Sequence, residues 1–265
     1  MKVIVVTGST RGIGYGLADA FLDRGCAVVV TGRSQQSVDD AVQQFAQKHD
    51  ANRILGQPCD MQSYDQVQAL WDQSKAHFGN VDIWINNAGL INESRPVWEQ
   101  DPARMAAVVN TNLTGLLYAA KVVINGMIEQ GYGHIYNMEG SGSDGAIRAG
   151  LTPYGMTKYG VRYLTRALVK ETANTPVKVS TLSPGMVITE MLIGEYNPEE
   201  LERVKRIFNI LADHVETVSP WLADRVLAND KAGAKIAWLT TPKVIGRFLS
   251  TPFRKRDLFQ NQTTG

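Results

Sequence analysis

The chain has 265 residues, enough for one α/β domain with a sizeable core or for two small domains. Its 44% hydrophobic and 20% charged residues are ordinary for a globular protein, and the formal net charge of +1 gives no overall attraction for nucleic acid. The only cysteines, Cys26 and Cys59, lie in apolar stretches and indicate free thiols in a reducing compartment. The four histidines lack metal-ligand spacing, so we expect no metal site.

The ends of the chain predict a cytoplasmic protein. No apolar run looks long enough to span a bilayer, and an apolar strand begins at once at Lys2 and Val3, with no signal or transit segment before it. The alternative is a protein from which such a segment has already been removed.

The first predicted element is a strand buried on both faces, because residues 3–6 form a continuous β-branched run, VIVV. It leads into the glycine-rich segment TGSTRGIG at 7–14, after which Ile13, Leu17 and Phe21 recur at helical spacing. A strand, a glycine turn and a helix can place a pyrophosphate on the amides at the helix N-terminus. The alternative is a tight turn with no ligand.

The end of the second predicted strand, at 27–31, indicates which dinucleotide binds. NAD-binding folds carry an acid near this point for the ribose hydroxyls, whereas an arginine often accommodates the 2′-phosphate of NADP. Here the strand is followed by Gly32, Arg33 and Ser34, and Arg11 in the glycine turn could reach the same phosphate from the other side. We therefore predict NADP(H). The alternative is that both arginines are solvated surface residues.

Strands and helices continue to alternate along the chain. Further strands are predicted at 53–58, 81–85, 134–137 and 177–182, with apolar helical stripes between them. This alternation predicts a single Rossmann domain over residues 1–265, with a doubly wound parallel sheet of about seven strands and helices on both faces. A long helix is predicted from Asp101 to about Glu129, and the Asn and Gly residues near its middle require a packing or functional reason.

Tyr154 and Lys158 are the best candidates for chemistry. Their i to i+4 spacing places a phenol and an ammonium on one face of a helix. A fixed ammonium stabilises the tyrosinate and lowers the tyrosine pKa from ~10, so the pair can act as a general acid or base near neutral pH. The alternative is a surface pair, because a chain with nine tyrosines often shows this spacing by chance.

Five motifs stand in order: TGxxxGIG at 7–14, NNAG at 86–89, Asn112, YxxxK at 154–158 and PG at 184–185. Together they resemble the short-chain dehydrogenase/reductase superfamily up to about residue 190. The resemblance implies a Rossmann fold, usually a homodimer or homotetramer, and hydride transfer from a nicotinamide cofactor to a small-molecule carbonyl. In that scheme Tyr154 donates the proton, Lys158 holds the nicotinamide ribose and lowers the tyrosine pKa, and Asn112 feeds a proton relay through water.

The same resemblance implies a set of cofactor-binding residues. Residues 87–89 would line the adenosine ribose region, Asp60 the adenine, and residues 184–189 the nicotinamide end. The full set, beyond Tyr154 and Lys158, is Gly8, Ser9, Thr10, Arg11, Gly12, Ile13, Gly14, Arg33, Asp60, Met61, Asn87, Ala88, Gly89, Thr111, Pro184, Gly185, Val187 and Thr189.

The serine that binds the substrate carbonyl in this superfamily is displaced here. The usual N-x-S-S reads Asn137-Met138-Glu139-Gly140, which puts Gly140 at the serine position when aligned from the asparagine. Counting back from Tyr154 by the superfamily's usual spacing of about thirteen gives Ser141, our prediction for the role. Ser143 is a second candidate, and the alternative is that both serines merely solvate the loop.

A narrower resemblance comes from the segments NMEGSGSDG at 137–145, YGMTK at 154–158, LSPGMVIT at 182–189 and a long tail that includes IAWLTTP at 236–242. Together they are similar to chlorophyll b reductases, which act in chlorophyll catabolism and reduce the 7-formyl group of chlorophyll(ide) b to hydroxymethyl. The resemblance implies a pigment substrate. Other hydrophobic carbonyls or alcohols of steroid, acyl or sugar type stay open, as does a nicotinamide-sensing protein without turnover.

The superfamily places a substrate lid at about 189–214. Asn197, followed by Pro198 and two acids, predicts a helix start, and Leu201, Val204, Phe208 and Leu211 give that helix an apolar face. The face could cover a substrate or simply pack on the domain. In the C-terminal tail at about 242–265, residues 248–256 mix apolar and basic side chains. They could touch a membrane surface or an acidic partner, although docking on a neighbouring subunit is favoured because Pro252 interrupts the segment.

Overall fold

A parallel sheet of seven strands forms the centre of the protein. The structure is a computed structural model that describes residues 1–194, 196, 198–251 and 256–259. Its strands are β1 (Val3–Val6), β2 (Ala27–Val30), β3 (Ile54–Gly56), β4 (Ile83–Asn86), β5 (Gly133–Met138), β6 (Val177–Ser183), β7 (Met186–Ile188), β8 (Ala212–His214) and β9 (Lys235–Ala237). The sheet has the order β3-β2-β1-β4-β5-β6-β9 in the described residues, and all its pairs are parallel.

The fold predicted from the sequence is confirmed. The chain runs outward from β1 to β3 and then returns to place β4 on the other side of β1. Such a reversal is the position at which doubly wound sheets bind ligands, beyond the carboxyl ends of the strands. The strands β7 and β8 form a separate parallel pair in which Val187 lies opposite Asp213.

Ten α-helices are described: α1 (Gly12–Asp23), α2 (Gln35–Ala46), α3 (Tyr64–Phe78), α4 (Pro102–Val109), α5 (Gly115–Gln130), α6 (Thr152–Glu171), α7 (Glu190–Ile193), α8 (Pro198–Leu211), α9 (Val215–Ala228) and α10 (Thr241–Ser250). Short 3₁₀ turns occupy Ala51–Arg53 and Val97–Glu99. Phe21 and Leu222 pack helices α1 and α9 against one face of the sheet, and Trp71 and Met127 pack α3 and α5 against the other. Burial of both faces explains the continuous β-branched strands.

The long helix predicted from Asp101 is α4, a π-helical turn at Asn110–Thr114 and α5 in one continuous run. Gly115 lets the run approach Met61 closely, since an added Cβ would lie 2.7 Å from the Met61 carbonyl oxygen. By length and composition Pro102–Gln130 could span a bilayer, which corrects the expectation that no such run exists. Within the fold, 44% of its most apolar window is buried, and Met127 packs against the sheet.

The apolar face of α8 packs within the protein and is not among the walls of the large cleft described below. Leu201, Val204 and Phe208 join a cluster with Ile188 of β7 and Phe259 near the C-terminus. The alternative in which this face packs on the domain is therefore the one seen. The predicted N-cap Asn197 and tail residues 252–255 lie outside the described residues.

A buried carboxylate on β8 holds the C-terminal segment. Asp213 accepts hydrogen bonds of 2.6 Å from Trp238 Nε1, Arg247 Nη2 and Arg256 Nη2. Burial alone would raise the pKa of Asp213, but the hydrogen bonds from Trp238 and Arg247 and the charge of Arg256 outweigh it and hold the pKa below its ordinary value. Asp213 thereby ties α10 and the last described residues to β8.

We expect Asp213→Asn to lower the free energy of unfolding by about 2–4 kcal/mol at pH 7, because it leaves two partly buried arginines without their shared counter-charge. A depressed carboxyl pKa contributes stability above the unfolded-state pKa that is lost as pH falls through the folded-state value. The difference between variant and wild type in urea unfolding should therefore shrink below about pH 4.

Asp224→Asn is the matched control, since Asp224 pairs with Arg24 at the surface and should cost no more than about 1 kcal/mol. Equal losses in the two variants, or a loss at Asp213 that does not depend on pH, would contradict the anchoring role.

Candidate active site

A cleft of about 890 Å³ opens at the carboxyl ends of the central strands. Its walls come from the glycine turn after β1, the segments after β2, β3, β4, β5 and β6, the π-helical turn, and the first turns of α6. The structure brings together in its lining nearly all the residues predicted to hold the cofactor or act on the substrate. These are Gly8, Thr10, Arg11, Gly12, Ile13, Gly14, Arg33, Asp60, Met61, Asn87, Ala88, Gly89, Thr111, Ser141, Tyr154, Lys158, Pro184, Gly185, Val187 and Thr189.

The glycine turn is folded as a phosphate-binding turn requires. Gly8 and Gly12 have φ values of +64° and +58°, a region that side chains other than glycine rarely adopt. A Cβ on Gly14 would lie 2.2 Å from the Gly8 carbonyl oxygen, so the helix start could not pack against the turn with any larger residue. Asn87 Nδ2 donates to the carbonyl oxygens of Thr7 and Gly8 at 2.9 and 3.1 Å, which fixes the turn against the end of β4.

Ser9 has a structural position. Its side chain is fully buried, and its hydroxyl accepts a 2.9 Å hydrogen bond from the Thr31 amide while its own amide donates to the Thr31 carbonyl oxygen. It does not line the cleft. Ser9 holds the glycine turn against the end of β2, and its contact with a cofactor stays a prediction.

Two buried hydroxyls support a polar ligand in the cleft. Thr31 Oγ1 and Thr111 Oγ1 are buried without a hydrogen-bond partner in the part of the chain that the structure describes, and both residues line the cleft. Buried hydroxyls are rarely left unpaired in folded proteins. Both residues line the cleft and could hydrogen-bond a polar ligand held there, so the donor set fits a dinucleotide.

After β2, Arg33 is exposed and lines the cleft beside Ser34 and Ser37. Arg11 instead reaches across the glycine turn to Glu190 of α7, with 3.0 Å between Nη1 and Oε2. Both side chains of this pair are largely exposed, so the pair is weak and can be exchanged for a stronger anionic partner.

The start of α6 fixes the position of Tyr154. No side chain at the N-cap position Leu151 caps the helix, and the Tyr154 amide donates instead to Asn92 Oδ1 at 3.1 Å. Asn92 is itself buried, and its Nδ2 donates to the carbonyl oxygens of Glu93 and Gly150. The segment after β4 thereby holds the N-terminus of the helix that carries the tyrosine.

Lys158 is buried beside the tyrosine, as its spacing predicted. Its Nζ donates to the Met138 carbonyl oxygen at 3.1 Å and lies 5.7 Å from the centre of the Tyr154 ring. Burial lowers the pKa of Lys158 to about 8, while the charge of Glu139 acts in the opposite direction. The ammonium is therefore present at neutral pH but close to the pH at which it would be lost.

Asn112 lies next to the cleft and does not line it. Its Oδ1 accepts from the Leu90 amide, and its Nδ2 donates to the Leu90 carbonyl oxygen and to Thr157 Oγ1, all at 2.8–2.9 Å. It borders a small cavity of about 10 Å³, room for about one water molecule, that Thr111 and Lys158 also line. The predicted relay role of Asn112 stays a prediction, and its side chain positions the segment after β4.

The loop after β5 places glycine at the tyrosine hydroxyl. A Cβ on Gly140 would lie 2.4 Å from Tyr154 Oη, so the superfamily's serine could not occupy this position without moving the tyrosine. Ser141 is exposed and lines the cleft, whereas Ser143 is buried and its Oγ accepts a 3.0 Å hydrogen bond from the Gly140 amide. This geometry favours Ser141 over Ser143 for substrate contact.

The sequence interpretation missed several residues that support the site: Asn92, Gln100, Glu139 and Thr157. Gln100 Nε2 donates to the Glu93, Arg95 and Gly150 carbonyl oxygens and joins the segment after β4 to the loop after β5. Glu139 is buried and pairs with Lys235 of β9 at 2.7 Å. Only Glu139 gave a usable signal, since a carboxylate stands where the superfamily motif has a hydroxyl.

The assembled site can hold a dinucleotide along the sheet edge and present a phenol to the atom that reacts. In the scheme predicted from the sequence, Tyr154 would provide the proton, Lys158 a fixed positive charge and Ser141 a hydroxyl, and all three residues line the cleft. A positioned acid of this kind contributes roughly 10²–10⁴-fold to a rate.

Residues 2–200 match the family model for short chain dehydrogenase. The chain belongs to the short-chain dehydrogenase/reductase family and is an oxidoreductase of that family.

Among curated proteins it is 34% identical over 275 aligned residues to the probable chlorophyll(ide) b reductase NYC1, chloroplastic, of Arabidopsis thaliana, covering 98% of this chain and 55% of that protein. It is 36% identical over 236 residues to the chlorophyll(ide) b reductase NOL, chloroplastic, of the same plant, covering 87% of this chain and 67% of that protein. The chain thus spans about half the length of NYC1.

Among solved structures, a single-residue variant of actinorhodin polyketide ketoreductase with NADPH superposes with a TM-score of 0.78 at 27% identity. The superposition covers 89% of this chain and 95% of that one.

We expect Ser141→Ala to lower kcat by roughly 10–10³-fold with little change in nicotinamide affinity, because an oxyanion donor acts mainly in the transition state. Ser143→Ala should instead lower the unfolding free energy by about 1–2 kcal/mol, since it leaves the partly buried Gly140 amide without its acceptor, with a smaller loss of kcat.

Steady-state kinetics and urea unfolding of both variants check this pair of predictions. The reverse ranking in kcat would show that Ser143 fills the serine role.

Proposed function

We propose that this protein is an NADPH-dependent carbonyl reductase that reduces the 7-formyl group of chlorophyll(ide) b to hydroxymethyl. The observation that carries the reductase assignment is the placement of the Tyr154 phenol and the buried Lys158 ammonium in a cleft built from a glycine turn at the sheet's reversal point. The pigment assignment is supported by the similarity to two named chlorophyll(ide) b reductases across most of the chain.

The reaction divides between the cofactor and the protein. Bound NADPH supplies the hydride. Tyr154 gives its hydroxyl proton to the carbonyl oxygen, and the ammonium of Lys158 stabilises the tyrosinate that remains. Ser141 orients the carbonyl oxygen toward the phenol. Gly140 places no side chain of its own against Tyr154 Oη.

Reprotonation of Tyr154 needs a route to solvent. The small cavity beside Lys158 is bordered by Thr111 and Asn112, so a proton relayed through one water would pass there. Because Thr111 Oγ1 has no other partner in the described chain, it is available to hold that water. Asn112 would act indirectly, because it borders this cavity and its side chain holds the Leu90 backbone in place.

The choice of NADPH is supported by charge at the adenosine end. Arg33 follows β2 where an acid would bind the ribose of NAD, and the neighbouring lining residues Ser34 and Ser37 are neutral. A charge-assisted contact from Arg33 to a 2′-phosphate would be strong, and Arg11 could exchange its exposed partner Glu190 for the same phosphate.

A large, flat substrate is supported by the apolar walls around the reaction end of the cleft. Leu90, Ile91, Leu151, Met191 and Leu192 line it together with Ile188. Burying apolar area there would contribute ~25 cal/mol per Å² before ordering costs. The cover comes from α7 and the end of β7, and α8 lies behind them with its apolar face already packed. This revises the view that α8 itself would cover the pigment.

Another hydrophobic carbonyl compound is the second candidate, because the walls contain no group that selects a macrocycle and a ketoreductase superposes closely. A nicotinamide sensor without turnover is less well supported, since such a protein would not need Lys158 buried beside Tyr154.

A homodimer or homotetramer is also proposed, because α5 and α6 expose Leu117, Met156, Tyr159 and Tyr163.

Two free cysteines, both buried, suit a reducing compartment such as the cytoplasm.

Arg33→Ala should weaken NADPH binding roughly 10–100-fold and change NADH binding little, because only NADPH carries the phosphate that the guanidinium would contact. Fluorescence titration of both reduced cofactors measures this. Arg166→Ala, which removes an exposed arginine of α6 that is not among the cleft-lining residues, is the matched control. Equal affinities of the wild type for the two cofactors would contradict the NADPH assignment.

Incubation with NADPH and chlorophyllide b, followed by chromatography, should yield the 7-hydroxymethyl pigment. Tyr154→Phe should lower that yield roughly 10²–10⁴-fold while NADPH still binds. Tyr163→Phe, an exposed tyrosine on the same helix, should behave as the wild type. Brisk reduction of a small ketone with no pigment product would reject the pigment and leave the reductase assignment standing.

A further inference from the structure

Glu139 lines the cleft together with Tyr154 and Lys158, and the mechanism proposed for the reduction does not use its carboxylate. The residue follows β5 directly, between Met138, whose carbonyl oxygen binds Lys158, and Gly140, which lies against the Tyr154 hydroxyl. It is 5% exposed and is one of the residues that line the cleft. A buried carboxylate in such a position requires a partner or a function.

The partner of Glu139 comes from the other end of the chain. Glu139 Oε2 lies 2.7 Å from Lys235 Nζ on β9, two strands away across β6. The lysine side chain is 48% exposed whereas that of the glutamate is 4% exposed. Solvent therefore screens the cation well and the anion poorly, so a net negative potential remains on the inner side of the pair.

Lys158 lies against the backbone on both sides of Glu139, because its Nζ donates to the Met138 carbonyl oxygen and a Cβ on Gly140 would lie 3.1 Å from its Cε. The small cavity on one side of Lys158 is bordered by neutral residues from β4, the π-helical turn and α5, among them Asn86, Thr111 and Leu116. On its own helix the neighbouring polar groups are Tyr154 and Arg162, and the Arg162 guanidinium donates to the Ser143 carbonyl oxygen.

The other charged residues in the described lining of the cleft are Arg11, Arg33, Asp60, Arg148 and Glu190. None of them contributes to the shift of the Lys158 pKa, for which burial is the main cause and Glu139 the opposing one.

We propose that Glu139 is a positioning residue whose buried carboxylate keeps Lys158 in its charged form while Tyr154 gives up its proton. This inference rests on the proposed reductase function. Burial acts against the ammonium, the Met138 carbonyl oxygen supplies one neutral hydrogen bond, and Glu139 supplies the negative charge that a buried cation needs. Lys235 holds the carboxylate in place and connects it to the outer strand of the sheet.

The direct test is the titration of Lys158 followed by ¹³C NMR of its Cε atom, with Lys158→Met to assign the signal. Glu139→Gln keeps the shape of the side chain and removes its charge, and the titration midpoint should fall by roughly one pH unit. Glu139→Asp keeps the charge and should restore most of that shift. Asp224→Asn, which removes a surface carboxylate paired with Arg24, should leave the midpoint unchanged. An unchanged midpoint in Glu139→Gln would overturn the proposal.

Turnover gives a second readout. The alkaline limb of the kcat profile should move to lower pH in Glu139→Gln, with kcat near pH 6 within about threefold of the wild type, because Lys158 stays charged there in both proteins. A uniform loss of kcat at every pH would mark Glu139 as merely structural.

A second variant covers the case in which Glu139→Gln does not fold, and the NMR readout does not depend on turnover. If Glu139→Gln does not fold, the double variant Glu139→Gln/Lys235→Met replaces the pair with neutral groups and should still lower the Lys158 midpoint. If the wild-type protein reduces no carbonyl, the proposed function fails, whereas the NMR titration still decides the role of Glu139.

Discussion

The catalytic end depends on holding a positive charge where burial opposes it. Lys158 is almost inaccessible to solvent, and burial has already brought its pKa down to about 8. A buried ammonium is tolerated only when a fixed acceptor and an opposite charge replace the water it has lost. The Met138 carbonyl oxygen and the Glu139 carboxylate do this at the end of β5. The position of Tyr154 follows, because the tyrosine lies one helical turn before the lysine on α6.

The parts of the structure predictable from the sequence are those that local signals determine. A β-branched run, glycines that need positive φ and an i to i+4 spacing each act within a few residues, so β1, the glycine turn and the Tyr154–Lys158 pair could be predicted. The helical spacing of apolar residues also predicted the apolar face of α8. It could not show what covers that face, because Phe259 and Ile188 reach it only in the folded chain.

Contacts between distant segments explain what the sequence did not reveal. Asn92 caps α6 from 62 positions away, and Lys235 meets Glu139 because β9 follows β6 in the sheet. Ser9 stands inside a phosphate-binding motif, yet its hydroxyl turns to the Thr31 amide, since that amide would otherwise be buried without an acceptor. A motif identifies the backbone of a turn better than it identifies the direction of each side chain.

Among the described residues two carboxylates, those of Glu139 and Asp213, are buried, and each stabilises a different part of the reaction end. Glu139 acts on Lys158, and Asp213 lies opposite Val187 in the β7–β8 pair, next to the segment predicted to hold the nicotinamide. The partners of both carboxylates, Lys235, Arg247 and Arg256, come after the family match ends at residue 200. The segment that matches the family model therefore provides the cofactor turn and the Tyr154–Lys158 pair, while the chain beyond residue 200 supplies Lys235, Arg247 and Arg256, whose charges hold the two carboxylates at the reaction end. Because substrate choice is made at that end, the residues that distinguish this protein from other members of its family are expected mainly in this last quarter and in the loop at 139–151.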